Sequence, residues 1–145
     1  MTSLRRFALL TPLVAALIGG PQTEARAEVV VIVSARSPVN TLSRQQVSNI
    51  FLGRAHTFPD GSPAIPVDLQ NGTDLRDEFS EKVHGIASSQ LNAYWSRMVF
   101  TGKGNPPREA IPPEIAVKLT AANPRLISYV DRSWVDGSVK VILVP

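Results

Sequence analysis

Continuous apolar runs and segments with helical apolar spacing alternate along the chain. Residues 28–34, EVVVIVS, are almost all β-branched and apolar, which predicts a strand buried on both faces of a sheet. Within residues 42–53, LSRQQVSNIFLG, apolar positions recur at helical spacing. Ser43 and Gln46 predict a capping box at the start of this helix, and Gly53 is the glycine expected just after its end.

Three further helices and three further strands are predicted downstream. The helices begin near Asn71, Ser88 and Pro113, and the strands cover residues 64–69 and 127–130 and the segment from Val139 to Val144. The apolar positions expected to pack inward are Leu75, Phe79 and Val83 in the first of these helices, Leu91, Tyr94, Trp95, Met98 and Val99 in the second, and Ile115, Leu119 and Ala122 in the third. The order β-α-β-α-α-α-β-β predicts an α/β layer fold.

The first 27 residues have the pattern of a secretory signal peptide. Arg5 and Arg6 precede the apolar residues 7–18, and a small-x-small motif ends at Ala27. The apolar run is too short to span a membrane. We therefore expect cleavage after Ala27, a domain of residues 28–145, and a periplasmic location.

Charge and cysteine content exclude several classes of function. The predicted signal peptide carries three of the 15 basic residues and one of the 12 acidic residues, so residues 28–145 are close to neutral. This balance gives no reason to expect nucleic acid or an anionic membrane as a partner. The absence of cysteine excludes disulfides and thiolate chemistry.

The turn Asn71-Gly72-Thr73 is the first candidate site, because it joins a predicted strand directly to a helix. Unpaired N–H groups at a helix N-terminus attract anions, although a capping box from Asn71 and Asp74 would explain the same residues. Arg76 lies one turn into the helix, where it either points back to this turn or is solvated and pairs with Asp77 or Glu81.

Lys103, in a Gly-Lys-Gly loop, is a second candidate cation, and a solvated loop lysine is its alternative interpretation.

Catalysis has little support, because His56 and His84 are far apart in the sequence and neither has an obvious serine and carboxylate nearby. Asp68 is interpreted as a surface or turn residue, and no His or Cys cluster completes a metal site with it. We expect no enzyme activity, cofactor or metal.

Four segments together resemble a known family. In order they are LSRQQVSNIFLG at 42–53, NGTDLRDEF at 71–79, GKG at 102–104 and NPRLISYV at 123–130. They resemble the phosphate-binding protein of bacterial phosphate ABC transporters, and most closely its short, single-domain exported relatives. The resemblance covers roughly residues 28–130.

The resemblance implies a single three-layer α/β/α lobe with a mixed sheet, of the periplasmic-binding-protein type. In the family a Ser-Gly-Thr turn donates hydrogen bonds to phosphate, and Asn71, Gly72 and Thr73 occupy the matching positions. An arginine precedes that turn by four residues in the family, whereas Val67 stands there in this sequence. The implied ligand-binding residues are Asn71, Gly72, Thr73, Arg76 and Lys103.

Two functions follow from the resemblance. The first is weak binding of phosphate or a similar oxyanion for ABC-type uptake, with an ABC permease as partner. The second is an interaction module of the cell envelope that has lost its ligand and binds a sensor or transporter subunit. A homodimer that places two binding turns opposite each other is a further alternative.

Overall fold

The computed structural model describes residues 19–20, 27–110 and 112–145, so the predicted signal peptide lies almost entirely outside the described residues. The described residues form five strands and four α-helices. The strands are β1 (Val29–Ser34), β2 (Ile65–Asp68), β3 (Arg108–Glu109), β4 (Leu126–Asp131) and β5 (Val139–Leu143), and the helices are α1 (Arg44–Phe51), α2 (Asp74–Phe79), α3 (Ser88–Phe100) and α4 (Pro113–Ala122). A π-helical turn, Ser80–His84, continues α2, and a 3₁₀ turn, Arg132–Trp134, follows β4.

The strands form one mixed sheet in the order β3-β2-β4-β1-β5. β1 is antiparallel to both β4 and β5, whereas β2 is parallel to both β3 and β4. The predicted α/β fold with a mixed sheet is therefore confirmed. The two-residue strand β3 was not predicted, because so short a segment has no pattern of its own and is defined only by its pairing with β2.

Helices cover both faces of the sheet. Tyr129 of β4 packs against Phe51 of α1 and Phe79 of α2. Val31 of β1 pairs with Tyr129, and Ser34 is three residues further along β1. Because side chains alternate between the two faces of a strand, Ser34 lies on the other face of the sheet. Its hydroxyl donates to the Ala121 carbonyl oxygen of α4 at 3.1 Å. The structure thus has three layers, with α1 and α2 on one face of the sheet and α4 on the other.

The strongest local signals are confirmed. All six residues of β1 are buried. The Ser43 hydroxyl accepts the Gln46 N–H at 3.1 Å, and the Gln46 side chain accepts the Ser43 N–H at 2.8 Å, which completes the predicted capping box. Gly53 follows α1 with a φ of +70°, the left-handed conformation that favours glycine at a helix end.

The predicted inward face of α4 is right for Ile115, which is partly buried and packs against the core, but wrong for Leu119 and Ala122, which are exposed. The fully buried residues of α4 are Ala116, Val117 and Thr120. The buried stripe is therefore rotated by about one residue, because the smaller alanine and threonine sit directly over the sheet. In α3 the expected burial of Val99 is also wrong, since half of its surface is exposed.

Candidate functional site

Arg76 is a buried arginine, with only 5% of its surface exposed. It is the third residue of α2, and side chains in a helix tilt toward the N-terminus. Its guanidinium therefore returns to the turn between β2 and α2 and to the end of β2. The interpretation of Arg76 as a solvated residue paired with Asp77 or Glu81 is wrong, because its ionic partner is Asp68.

Asp68 is the last residue of β2 and is also buried, contrary to its interpretation as a surface or turn residue. Its Oδ2 lies 3.4 Å from Arg76 Nε, and its Oδ1 accepts hydrogen bonds from the Tyr129 hydroxyl and from the Leu69 N–H at 2.9 Å. Burial raises the pKa of Asp68 above its ordinary value, while Tyr129 and Arg76 stabilise the ionised form and oppose that increase.

Aromatic packing fixes the position of the Tyr129 hydroxyl. The Phe79 ring stacks on the Tyr129 ring with centroids 3.7 Å apart, and Phe51 meets it edge-on at 5.7 Å. Burial and the neighbouring Asp68 carboxylate raise the pKa of Tyr129, so its hydroxyl stays protonated and donates to Asp68. Tyr129, packed in the core, thus fixes the Asp68 carboxylate through a hydrogen bond, and Asp68 forms an ion pair with one side of the Arg76 guanidinium.

The other side of the guanidinium meets two asparagines. Arg76 Nη1 donates to Asn71 Oδ1 at 2.9 Å and to Asn92 Oδ1 of α3 at 3.4 Å. The Asn92 amide also donates to Asn71 Oδ1 at 3.4 Å. These contacts occupy Nη1, whereas Nη2 makes no hydrogen bond to another described residue.

An open cavity of about 640 Å³ adjoins this group, and we call it the Arg76 cavity. Its polar lining comes from Asn71, Arg76, Asn92, Ser96 and Glu109. Among the residues that the structure describes, Arg76 is the only cation in this lining. Glu109 is an exposed carboxylate at β3 that reduces the positive potential felt by an anion.

The apolar part of the lining of the Arg76 cavity consists of Trp95, Val99, Phe100 and Pro106. Trp95 is anchored in a small core with Leu52 and Leu91, which fixes α3 beside α1. Phe100 at the end of α3 is 92% exposed. The cavity therefore combines one buried cation with an exposed aromatic side chain.

Of the five predicted site residues, the structure brings Asn71 and Arg76 together in this cavity. Gly72 has a φ of +88° in the turn, and the Thr73 hydroxyl donates to the Gln70 carbonyl oxygen at 2.9 Å. Thr73 lines a separate, smaller apolar hollow, and the exposed Lys103 does not line the Arg76 cavity.

The predicted capping box of Asn71 and Asp74 is absent from the turn. Thr73 is the N-cap of α2 and makes no side-chain capping bond, since its hydroxyl is engaged elsewhere. Asn71 serves Arg76 rather than the helix backbone. Val67, where the resemblance expects an arginine, is buried in the core, so the buried cation near the turn is Arg76.

His84 contacts Ser48 and Phe79 and does not line the Arg76 cavity. Its Nδ1 lies 2.8 Å from the Ser48 hydroxyl, and its ring meets Phe79 edge-on. Burial, followed by the nearby charges of Arg54 and Arg76, lowers the pKa of His84 to about 4.

Within residues 27–110 and 112–145, no cluster of three or more His, Asp or Glu side chains is arranged to bind a metal, and no helix is long and apolar enough to cross a membrane.

Sequence reasoning missed three parts of this site. Tyr129 had a usable signal, because a tyrosine in a fully buried strand needs a partner for its hydroxyl. The opposite charges of Asp68 and Arg76 on either side of the turn were a weaker signal of an ion pair. Asn92 had none, since its contact with Arg76 depends on how α3 packs.

Comparison with solved structures identifies the fold. The chain matches a phosphate ABC transporter substrate-binding protein with bound phosphate from Clostridium perfringens, at 22% identity and a TM-score of 0.60 over 80% of this chain and 44% of that one. It matches an ABC-type phosphate transport receptor from Vibrio cholerae at 16% identity and a TM-score of 0.63, covering 80% of this chain and 45% of that one. It matches PstS from Borrelia burgdorferi at 9% identity and a TM-score of 0.58, covering 80% and 46%.

This chain has the fold of part of a phosphate-binding protein. The predicted resemblance is thereby confirmed at the level of the fold. The chain spans less than half the length of each matched structure. No protein-family model matches the sequence, and a search of curated proteins finds no relative.

Proposed function

We propose that this protein is an exported, non-enzymatic substrate-binding domain that binds phosphate or a similar small oxyanion in the Arg76 cavity. Export rests on the signal-peptide pattern of residues 1–27, which makes residues 28–145 the mature domain and the periplasm its location. An ABC permease is the partner that a role in uptake would require.

One observation carries the proposal, namely a buried arginine whose guanidinium edge lines an open cavity. A planar guanidinium binds carboxylate and phosphate through paired N–H groups, and Arg76 is held in place for this by Asp68 on one side and Asn71 on the other. A cation that is already oriented loses little conformational entropy when a ligand binds. Gly72, Thr73 and Lys103 do not line this cavity, so a ligand contact by any of them stays a prediction from the sequence.

Isothermal titration of the purified protein with phosphate and with sulfate tests the proposal. Arg76→Lys keeps a positive charge but loses the planar pair of donors, so we expect about a tenfold or greater loss of affinity. Arg44→Lys is the matched control, because Arg44 is exposed at the start of α1 and lies outside the cavity. Circular dichroism establishes that both variants are folded.

Binding of an oxyanion that Arg76→Lys weakens and Arg44→Lys does not would support the proposal. An absence of heat, together with no rise in melting temperature at millimolar oxyanion, would overturn it, since any ligand of the folded state alone must stabilise that state. Analytical ultracentrifugation in the same solutions tests the homodimer, which predicts a two-fold increase in mass when the anion is added.

The exposed Phe100 favours a second candidate, an interaction module of the cell envelope. A large, almost fully exposed aromatic side chain beside the half-exposed Val99 is typical of protein contact surfaces. Pull-down from an envelope extract with the wild type and Phe100→Ala tests it. A permease or sensor subunit that is retained by the wild type and by Arg76→Lys, but lost with Phe100→Ala, would favour the module over oxyanion binding.

A further inference from the structure

We propose that the ligand of the Arg76 cavity is an organic anion, with an apolar group next to its acidic head, rather than a bare inorganic ion. This inference rests on the proposed function, because it assigns a ligand class to the same cavity. The size of the cavity, its mixed polar and apolar lining and its charge support it.

The cavity is much larger than an inorganic oxyanion. Phosphate has five heavy atoms and fills roughly two or three water volumes of ~30 Å³ each. The Arg76 cavity measures about 640 Å³, which lies within the range of sites for small organic molecules. A bare ion at Arg76 would leave most of this space to water.

The lining of the cavity offers both polar and apolar contacts to a bound molecule. Arg76, Asn71 and Asn92 form a hydrogen-bonded polar cluster in the lining, and Arg76 Nη2 makes no hydrogen bond to another described residue. Trp95 and Phe100, three and eight residues along α3 from Asn92, belong to the apolar part of the lining. A ligand whose head binds Arg76 and that carries an apolar group therefore has aromatic side chains in the same cavity for that group to contact.

The charge of the site makes the head alone a weak ligand. The positive charge of Arg76 is already balanced by Asp68 at 3.4 Å, and Glu109 adds a second carboxylate to the lining. An anion thus gains orientation and hydrogen bonds from Arg76 but little net attraction. Burial of an apolar group against Phe100 supplies the affinity that the charge does not.

Titration calorimetry with four compounds tests this inference. Inorganic phosphate and acetate are the bare heads, and phenyl phosphate and phenylacetate add the same ring to each. We expect the ring to tighten binding about tenfold with at least one head, the gain from removing ~60 Å² of apolar surface from water. Phe100→Ala should abolish most of that gain, and Arg76→Lys should weaken binding of the bare and the substituted head alike.

The control variant is Trp134→Ala, which removes another exposed aromatic side chain that lies outside this cavity. A tenfold preference for the ring-substituted over the bare compound, retained by Trp134→Ala and lost by Phe100→Ala, supports the inference. Comparison of the two ring-substituted compounds shows whether a phosphate or a carboxylate head is preferred. Equal binding of the bare and ring-substituted heads, with dependence on Arg76, would overturn the inference and leave the proposed function standing. No binding by any compound would overturn both, and ring binding independent of Arg76 would show an adventitious apolar contact only.

Discussion

Replacing Arg76 by methionine should destabilise the domain strongly, because it leaves the Asp68 carboxylate buried without its cation. The two side chains are 6% and 8% exposed, so neither charge is well solvated. Removing one partner of a buried pair costs about 3–5 kcal/mol. The Nε–Oδ2 separation of 3.4 Å is long for a hydrogen bond, which favours the lower end, about 3 kcal/mol. A domain of this size has only about 5–15 kcal/mol of stability in total.

A double-mutant cycle separates the pair from simple loss of packing. Asp68→Asn combined with Arg76→Met removes both charges, and the asparagine can still accept the Tyr129 hydroxyl hydrogen bond. We therefore expect the double variant to be more stable than Arg76→Met alone. The exposed Arg44→Met should change the free energy of unfolding by no more than about 0.5 kcal/mol.

Urea unfolding followed by circular dichroism, at pH 4 and at pH 7, provides the assay. Burial already raises the folded-state pKa of Asp68, and loss of Arg76 raises it further. A raised carboxyl pKa stabilises the fold at low pH, and this contribution is lost as the pH rises through the folded-state value. The loss caused by Arg76→Met should thus be smaller at pH 4 than at pH 7. Additive effects of the two substitutions, or a loss independent of pH, would refute the buried-pair account.

Three further predictions concern stability. The pKa of His84 is lowered to about 4 in the folded protein, so as the pH falls the unfolded chain binds a proton at a higher pH than the folded protein does. The free energy of unfolding should therefore fall by up to ~3 kcal/mol as the pH drops from 6.5 to 4. In urea titrations across this range His84→Gln should remove that slope, whereas His56→Gln, at an exposed position, should keep it. The Glu28 nitrogen lies 2.7 Å from Asp131 Oδ2, so cleavage before Glu28 would create an ammonium that pairs with this carboxylate. A protein beginning at Glu28 should then melt at a higher temperature than its N-acetylated form at pH 6, an advantage that disappears at pH 10 or with Asp131→Asn. Ser43→Ala removes the capping box of α1 and should cost about 1 kcal/mol in urea unfolding, and an unchanged midpoint would contradict the role of that cap.

Local sequence signals predicted the parts of the fold that depend on local physics. The continuous β-branched run of β1 requires burial on both faces, and the sheet provides it. Ser43, Gln46 and Gly53 determine the ends of α1 through hydrogen bonds and backbone conformation within a few residues. Neither feature depends on how distant segments pack.

Tertiary contacts explain what the sequence did not predict. Asn71 looks like a helix cap, but its side chain accepts a hydrogen bond from Arg76, and the helix begins at Asp74. Asp68 has the sequence context of a turn residue, but its carboxylate is buried and accepts a hydrogen bond from the hydroxyl of Tyr129, 61 positions away. The sequence identified the turn and Arg76, whereas the ion pair and the apolar part of the cavity lining depend on the packing of β4 and α3.

The central claim is that an oxyanion binds at Arg76, and NMR titration tests it most directly. Isotope-labelled protein is titrated with phosphate and with phenyl phosphate while the guanidinium signals of Arg76 and the side-chain amide signals of Asn71 and Asn92 are followed. The structure predicts that these three sets of signals shift together and saturate, with smaller changes at Lys103. Signals that stay in place at Arg76 while others move, or a spectrum that does not change at all, would contradict the claim.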